Sequence, residues 1–248
     1  MPLAPDPSPL RPSLHRIVPA AWILVAGLFV VHALLRFGGL WNPLYIPLSM
    51  ILIWPLPWLL ASPAGRRRMG FRMPKSGRWF VLGPTVALGV LALCAAIAWG
   101  FFGSGTANWF VHHARTLQVP LDRLPPGTSV LTQFGVVTLP ALLFSPLAEE
   151  FLYRGFILTS VSARWGTRVG MGVQAAAFAL VHLAHYGLAP VQPLLIAVWV
   201  PSMALAALAF GWIVQKSGSV WCAVGAHAAF NAGMNGLVFV LLPGHVGL

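Results

Sequence analysis

Only four acidic residues occur in this 248-residue chain, and two of them, Glu149 and Glu150, are adjacent inside an apolar run. Asp6 and Asp122 lie in a tail and a loop. A charged side chain at membrane depth costs about 2.5–3.5 kcal/mol on insertion scales, so an intramembrane acid calls for a functional reason and a partner. Glu150 and Arg154 stand four apart with the acid first, the favourable order for a helical ion pair. Successive helical residues diverge by about 100°, so Glu149 is expected to point elsewhere and to lack that arginine. A bracing role through Arg154 therefore fits Glu150 better than Glu149. Two further pairs share a helix face at i, i+4: Phe178 with His182, and His227 with Asn231. A lone membrane histidine is most often a hydrogen-bonded packing residue. A carboxylate that takes a proton from water, beside imidazole and amide groups that donate to a developing oxyanion, is the chemistry of hydrolysis. The same groups in series would relay protons.

The elements that hold these groups follow from an apolar composition. Hydrophobic residues make up 58% of the chain and charged residues 8%, and the mean hydropathy is +0.81. Soluble domains carry about a quarter charged residues. The bilayer is the natural solvent for such a chain, and its length suits one helical membrane domain. The net charge of +11 does not point to nucleic acid, because the basic residues fill short gaps between apolar stretches. Membrane lipids and topology account for them. Cys94 and Cys222 lie in apolar runs and read as small core residues.

The pattern predicts an all-α fold, a polytopic membrane helix bundle of about seven transmembrane helices. Residues 1–16 are rich in proline (Pro2, Pro5, Pro7, Pro9, Pro12) and are expected to form a disordered cytoplasmic tail. Residues 17–248 form one transmembrane domain. The apolar run from Ile17 to Leu35 is too long for a signal-peptide core and reads as a retained first span. A second span, 44–60, is broken by Pro47, Pro55 and Pro57. The third covers 79–102, and a polar connection follows over 103–129. The fourth starts near Val130 and runs past Glu149 to about Ser160. The fifth, sixth and seventh cover about 169–186, 193–214 and 219–242.

With the N-terminus in the cytoplasm, twelve of the fifteen Lys and Arg residues face that side, six of them in the loop 66–78. Arg36, Arg115 and Arg123 face the other side. At 1.5 Å per residue, Glu150 lies roughly 21 Å from Arg164, His182 roughly 21 Å from Arg168, and His227 roughly 16 Å from Lys216. The three loop markers share one expected side, so the polar groups can meet at one level. Small residues in the seventh span, Gly225, Ala229 and Gly233 on one face and Ala228, Ala232 and Gly236 on another, allow close helix approach.

Glu149-Glu150-x-x-x-Arg154, then Phe178-x-x-x-His182, then His227-x-x-x-Asn231, in this order and each on an expected span, resembles the CPBP family. This is the CAAX-protease and bacteriocin-processing group, also called Abi, of intramembrane endopeptidases. The likeness covers about 130–242. It implies a peptidase whose chamber opens toward the cytoplasm, in a bacterial inner membrane. By the resemblance Glu149 activates water, His182 helps hold that water, and His227 and Asn231 stabilise the oxyanion. Glu150, Arg154 and Phe178 support them. The implied substrate is a membrane-associated peptide or protein, including one with a C-terminal signal.

No cofactor is expected. Zinc is the alternative, because Glu149, His182 and His227 have ligand types that suit it, although no HExxH pattern occurs. His185 is a rival ligand expected to face a neighbouring helix, and His112 and His113 are expected to take no part. Ser145, before Pro146, reads as a hydroxyl at a kink. Two other functions compete: a proton-coupled transporter, against which no inverted repeat or paired broken helices appear, and a non-catalytic immunity or scaffold protein on the same fold. The sequence names no substrate and no oligomeric state.

Overall fold

Long runs without acidic residues leave the backbone only its own carbonyls as partners in a bilayer, and this forces helix. The computed structural model describes residues 9–16 and 20–242, and among these the chain is helical without strands. Helix α1 spans Ala21–Gly38, followed by short α2 (Tyr45–Ile51), α3 (Leu56–Leu60) and α4 (Pro63–Arg68). Then come α5 (Trp79–Phe102), α6 (Trp109–Leu121) and α7 (Val130–Glu149). A π-helical stretch, Glu150–Ile157, carries α7 without a break into α8 (Leu158–Trp165). Helices α9 (Thr167–Val181), α10 (Pro193–Ser217) and α11 (Val220–Leu241) complete the bundle.

Among the described residues, five helices are long and apolar enough to cross a membrane: Ala21–Gly38, Trp79–Phe102, Val130–Trp165, Pro193–Ser217 and Val220–Leu241. The protein is thus a polytopic helical bundle. The other two expected spans are shorter. The second is split into α2 and α3, with Pro55 capping α3. The fifth, α9, has 15 residues and ends in one 3-10 turn at His182–Ala184. At 1.5 Å per residue α9 covers about 22 Å, short of the roughly 30 Å hydrocarbon core.

The end of the expected disordered tail and the expected polar connection both carry ordered elements. Leu10 is buried and pairs with Ala61, and Arg11 N–H donates to Leu60 O, so the end of the tail is docked. Residues 1–8 lie outside the described residues. The connection 103–129 contains α6, whose Trp109, Phe110, His113, Ala114 and Leu117 are buried. Its Asn108 side chain caps the helix through Phe110 N–H.

The two ends of the bundle differ in charge. At one end, loop 66–78 meets the turn between α10 and α11: Lys75 N–H donates to Ser217 O, Arg72 Nε to Gly218 O, and Val220 N–H to Gly70 O. A surface cleft there is bounded by Arg72 and Lys75, by Thr159 and Ser162 of α8, and by Gln215 of α10. The C-terminus of α8 and the start of α9, with Arg164 and Arg168, therefore belong to the same basic end. Helix α6 closes the other end.

Helix α11 packs against α5, α7 and α10. The small faces expected on α11 are used only in part. Gly233 approaches α5 so closely that a Cβ would lie 2.7 Å from Leu91, whereas Gly225 and Gly236 have open space. The other close approach is at Gly83 of α5, where a Cβ would meet Cys222 O at 3.1 Å.

Candidate active site

The widened π-helical turn falls on the motif, and single π-turns in α-helices often mark functional sites. It brings both glutamates to one imidazole. His227 Nδ1 lies 2.8 Å from Glu150 Oε1, and His227 Nε2 lies 3.9 Å from Glu149 Oε2. The two acids address opposite nitrogens of that ring, so Glu149 points elsewhere than Glu150 as expected, although they share one imidazole. Glu149 does lack the arginine, which stays with Glu150.

Arg154 Nη1 donates to Glu150 Oε1 at 3.0 Å, with both side chains fully buried. Its Nη2 donates to Ala207 O at 3.2 Å, a carbonyl that also accepts from Gln174 Nε2. The guanidinium lies over the rings of Phe178 (4.5 Å) and Phe210 (5.2 Å), a cation–π arrangement that strengthens away from water. Phe178 in turn stacks on His182 (4.2 Å) and Phe210 on His227 (5.0 Å). Phe178 and Phe210 thus each separate the arginine from one histidine.

Both histidines are fixed through Nδ1. His182 Nδ1 donates to Phe178 O at 2.7 Å, and His227 Nδ1 donates to the Glu150 carboxylate, which can only accept. Their Nε2 atoms face Glu149 Oε2, at 3.8 Å for His182 and 3.9 Å for His227. These separations are too long for direct hydrogen bonds. Neither oxygen of Glu149 has a hydrogen-bond partner among the described groups, though the residue is fully buried. Such an orphaned buried carboxylate requires an explanation. Asn231 Nδ2 donates to Ala141 O at 2.9 Å and keeps a second amide hydrogen.

A cavity of about 190 Å³ lies against this group. Phe178, His182, His227 and Asn231 line it. Glu149 is fully buried and is not among the lining residues, but it lies within 4 Å of the two histidines that are. On α7 the lining runs Val137, Ala141 and Ser145, one residue per turn, and stops a turn before Glu149. On α10 it runs Phe210, Ala206, Met203 and Trp199, and on α11 His227, Asn231 and Asn235. In all three helices the lining recedes from the basic end.

Residues expected to play no part come to the cavity. His113 of α6 lines it, with Nδ1 2.8 Å from Tyr186 Oη and Nε2 2.7 Å from Asn235 Oδ1. His112 instead bonds Thr106 O. Arg36, placed by sequence in a loop, is buried and donates to His185 Nε2, and both Arg36 and His32 act electrostatically on Glu149. The i, i+4 spacing of His32 and Arg36 within the first span was the available signal. His185 faces both the cavity and Arg36. Ser145 lines the cavity.

Residues 131–233 match the family model described as type II CAAX prenyl endopeptidase Rce1-like. This segment is an Rce1-like domain. It contains all three motifs and begins one residue into α7. No curated protein and no solved structure matches the chain. The apolar helices and the match to this domain make this an integral membrane protein, and the matched model is that of an endopeptidase.

The donor set bears on a metal. The fixed Nδ1 atoms and free Nε2 atoms suit ligation in type. Ligands at about 2.0–2.2 Å from a tetrahedral zinc stand roughly 3.3–3.5 Å apart, closer than the 3.8 and 3.9 Å found here. Among the described residues no group of three or more His, Cys, Asp and Glu side chains is arranged to hold a metal ion. The residues as placed do not fit zinc.

Proposed function

We propose that this protein hydrolyses a peptide bond of a membrane-associated substrate through a water activated by Glu149. The observation that carries this reading is the orphaned carboxylate of Glu149 facing two Nε2 atoms at 3.8 and 3.9 Å. A water about 2.8 Å from each partner bridges such a gap. Glu149 takes one proton from that water and His182 Nε2 accepts the hydrogen bond of the other. The water oxygen attacks the scissile carbonyl carbon, and the carbonyl oxygen becomes the oxyanion. Asn231 donates its free amide hydrogen to it. His227 Nε2 faces the same place and donates to the oxyanion in the ring form that carries both protons. The C–N bond then breaks, and the proton held by Glu149 passes to the leaving nitrogen.

Glu150, Arg154 and Phe178 are positioning residues. Glu150 orients His227, Arg154 holds Glu150, and Phe178 orients His182 through its carbonyl and ring. The substrate is a peptide or protein held at a membrane, including one carrying a C-terminal signal. On this reading the protein works in a bacterial inner membrane with its N-terminus in the cytoplasm, a topology that the basic loops support.

The test compares membrane proteomes of cells carrying the wild type and Glu149→Gln. Accumulation of an uncleaved membrane protein with the variant, and its cleavage by purified wild type in detergent, is the expected outcome. Full cleavage by Glu149→Gln would sink the reading. Activity is expected to survive treatment with a strong zinc chelator. Loss on chelation and recovery with zinc would replace the metal-free reaction with a zinc-dependent one.

A further inference from the structure

We infer that the site opens on the non-cytoplasmic face, and that the substrate is the extracytoplasmic juxtamembrane segment of a membrane-anchored chain. The inference rests on the hydrolytic reading above and adds the side from which the peptide arrives. It joins two independent observations, the distribution of charge between the ends of the bundle and the direction of the cavity.

Loop 66–78, residues 164–168 and Lys216 hold nine of the fifteen Lys and Arg residues, and the contacts of Lys75, Arg72 and Gly70 with the 217–220 turn bring these loops to one end. The opposite end holds Arg115 and Arg123, beside Asp122, and the buried Arg36 in the last turn of α1. Short loops rich in Lys and Arg stay cytoplasmic, and the bias in such loops sets orientation. The basic end is therefore the cytoplasmic one.

The site is walled off from that end. Between the Glu149 layer and the basic loops lie the buried Glu150–Arg154 pair, Phe178, Phe210 and Gln174, joined through Ala207 O. From the same layer the cavity extends the other way. Asn235 lies two turns beyond His227 on α11, about 12 Å along the axis, and Val137 lies about 18 Å from Glu149 along α7. At its far end the cavity is bounded by α6, where Thr116 both lines it and is exposed. Apart from the polar cluster, the walls are mostly apolar and aromatic, suited to an extended segment with apolar side chains.

The test has two arms. Single cysteines are placed at Ser76 in the basic loop, at Ser104 in the opposite connection and at Thr116 at the cavity mouth, all exposed positions. The native Cys94 and Cys222 are buried, and the wild type measures their background. With a membrane-impermeant maleimide on spheroplasts, Ser104→Cys and Thr116→Cys are expected to label at least tenfold above Ser76→Cys, which labels only after lysis. The reverse pattern would overturn the inference, and Ser104→Cys decides the side should Thr116→Cys fail to fold. In the second arm, proteins accumulating uncleaved with Glu149→Gln are mapped by terminal peptides. A scissile bond on the extracytoplasmic side supports the inference. One on the cytoplasmic side overturns it and leaves the peptidase reading intact. If nothing accumulates, the peptidase reading fails while the labelling still decides which way the cavity faces.

Discussion

Glu149 and Glu150 are neighbours in sequence and equally buried, yet their surroundings on the two sides of one layer differ. Toward the basic end, Glu150 is held by Arg154 and His227, and Arg154 is held by Ala207 O and two aromatic faces. Toward α6, Glu149 faces two histidine nitrogens across a gap, beside a cavity, with no hydrogen bond to either oxygen. Glu150 Oε2 and Arg154 Nε also lack a hydrogen-bond partner, but each of these two side chains is anchored through its other atoms, and a buried pair anchored in this way fixes geometry. A buried carboxylate left open stores capacity to bind a proton or a water. The first region is built to stay as it is, and the second to take a substrate.

The comparison breaks most visibly if the two acids are interchangeable. Glu149→Gln is expected to keep the yield and melting temperature of the wild type while hydrolysis falls to background. Glu150→Gln, which strips Arg154 of its countercharge, is expected to lose folded protein first. Equal behaviour of the two in detergent-solubilised yield and in cleavage would erase the distinction. Next in size, Arg154→Ala leaves Glu150 as an unpaired buried charge, expected to cost about 3–5 kcal/mol. Thermal unfolding in detergent reads this, and a melting temperature equal to that of Glu149→Gln would remove the bracing role. On the open side, Asn231→Ala is expected to lower kcat about 100- to 1000-fold, as for the loss of one oxyanion donor. An unchanged kcat with a raised KM would move Asn231 from the oxyanion to substrate binding. The smallest effect is expected at His113→Ala, where Tyr186 and Asn235 each lose a partner at about 1–3 kcal/mol. It should appear in thermal stability, with kcat within tenfold of the wild type.

How legible each part was depended on the range of the interaction behind it. The Glu150–Arg154 pair is local, set by four residues of helix, and could be read directly. His182 and His227 could be placed near one depth because helix rise is constant. That His227 is shared between Glu149 and Glu150 could not be read, because the π-helical stretch and the seat of α11 against it are not announced by the local residue types. Arg36 and His113 were assigned to loops because their spans and connections were judged by hydropathy. Their roles depend on His185, Tyr186 and Asn235, as many as 149 residues away.

By itself the sequence determined that this is a membrane bundle, because a chain with 8% charged residues has too little polar surface to face water. It also determined which residues could do chemistry, because few charges can be placed in hydrocarbon without a purpose. Only the tertiary structure decided how those residues share partners, that Glu149 lies beside two histidines that line the cavity, and that the cavity leads away from the basic loops. Hydropathy and spacing report position along a helix axis. The direction in which a cavity extends depends on which neighbouring groups fill the space on either side, and here Arg154 with its aromatic neighbours fills one side while the cavity runs on to α6 at the other.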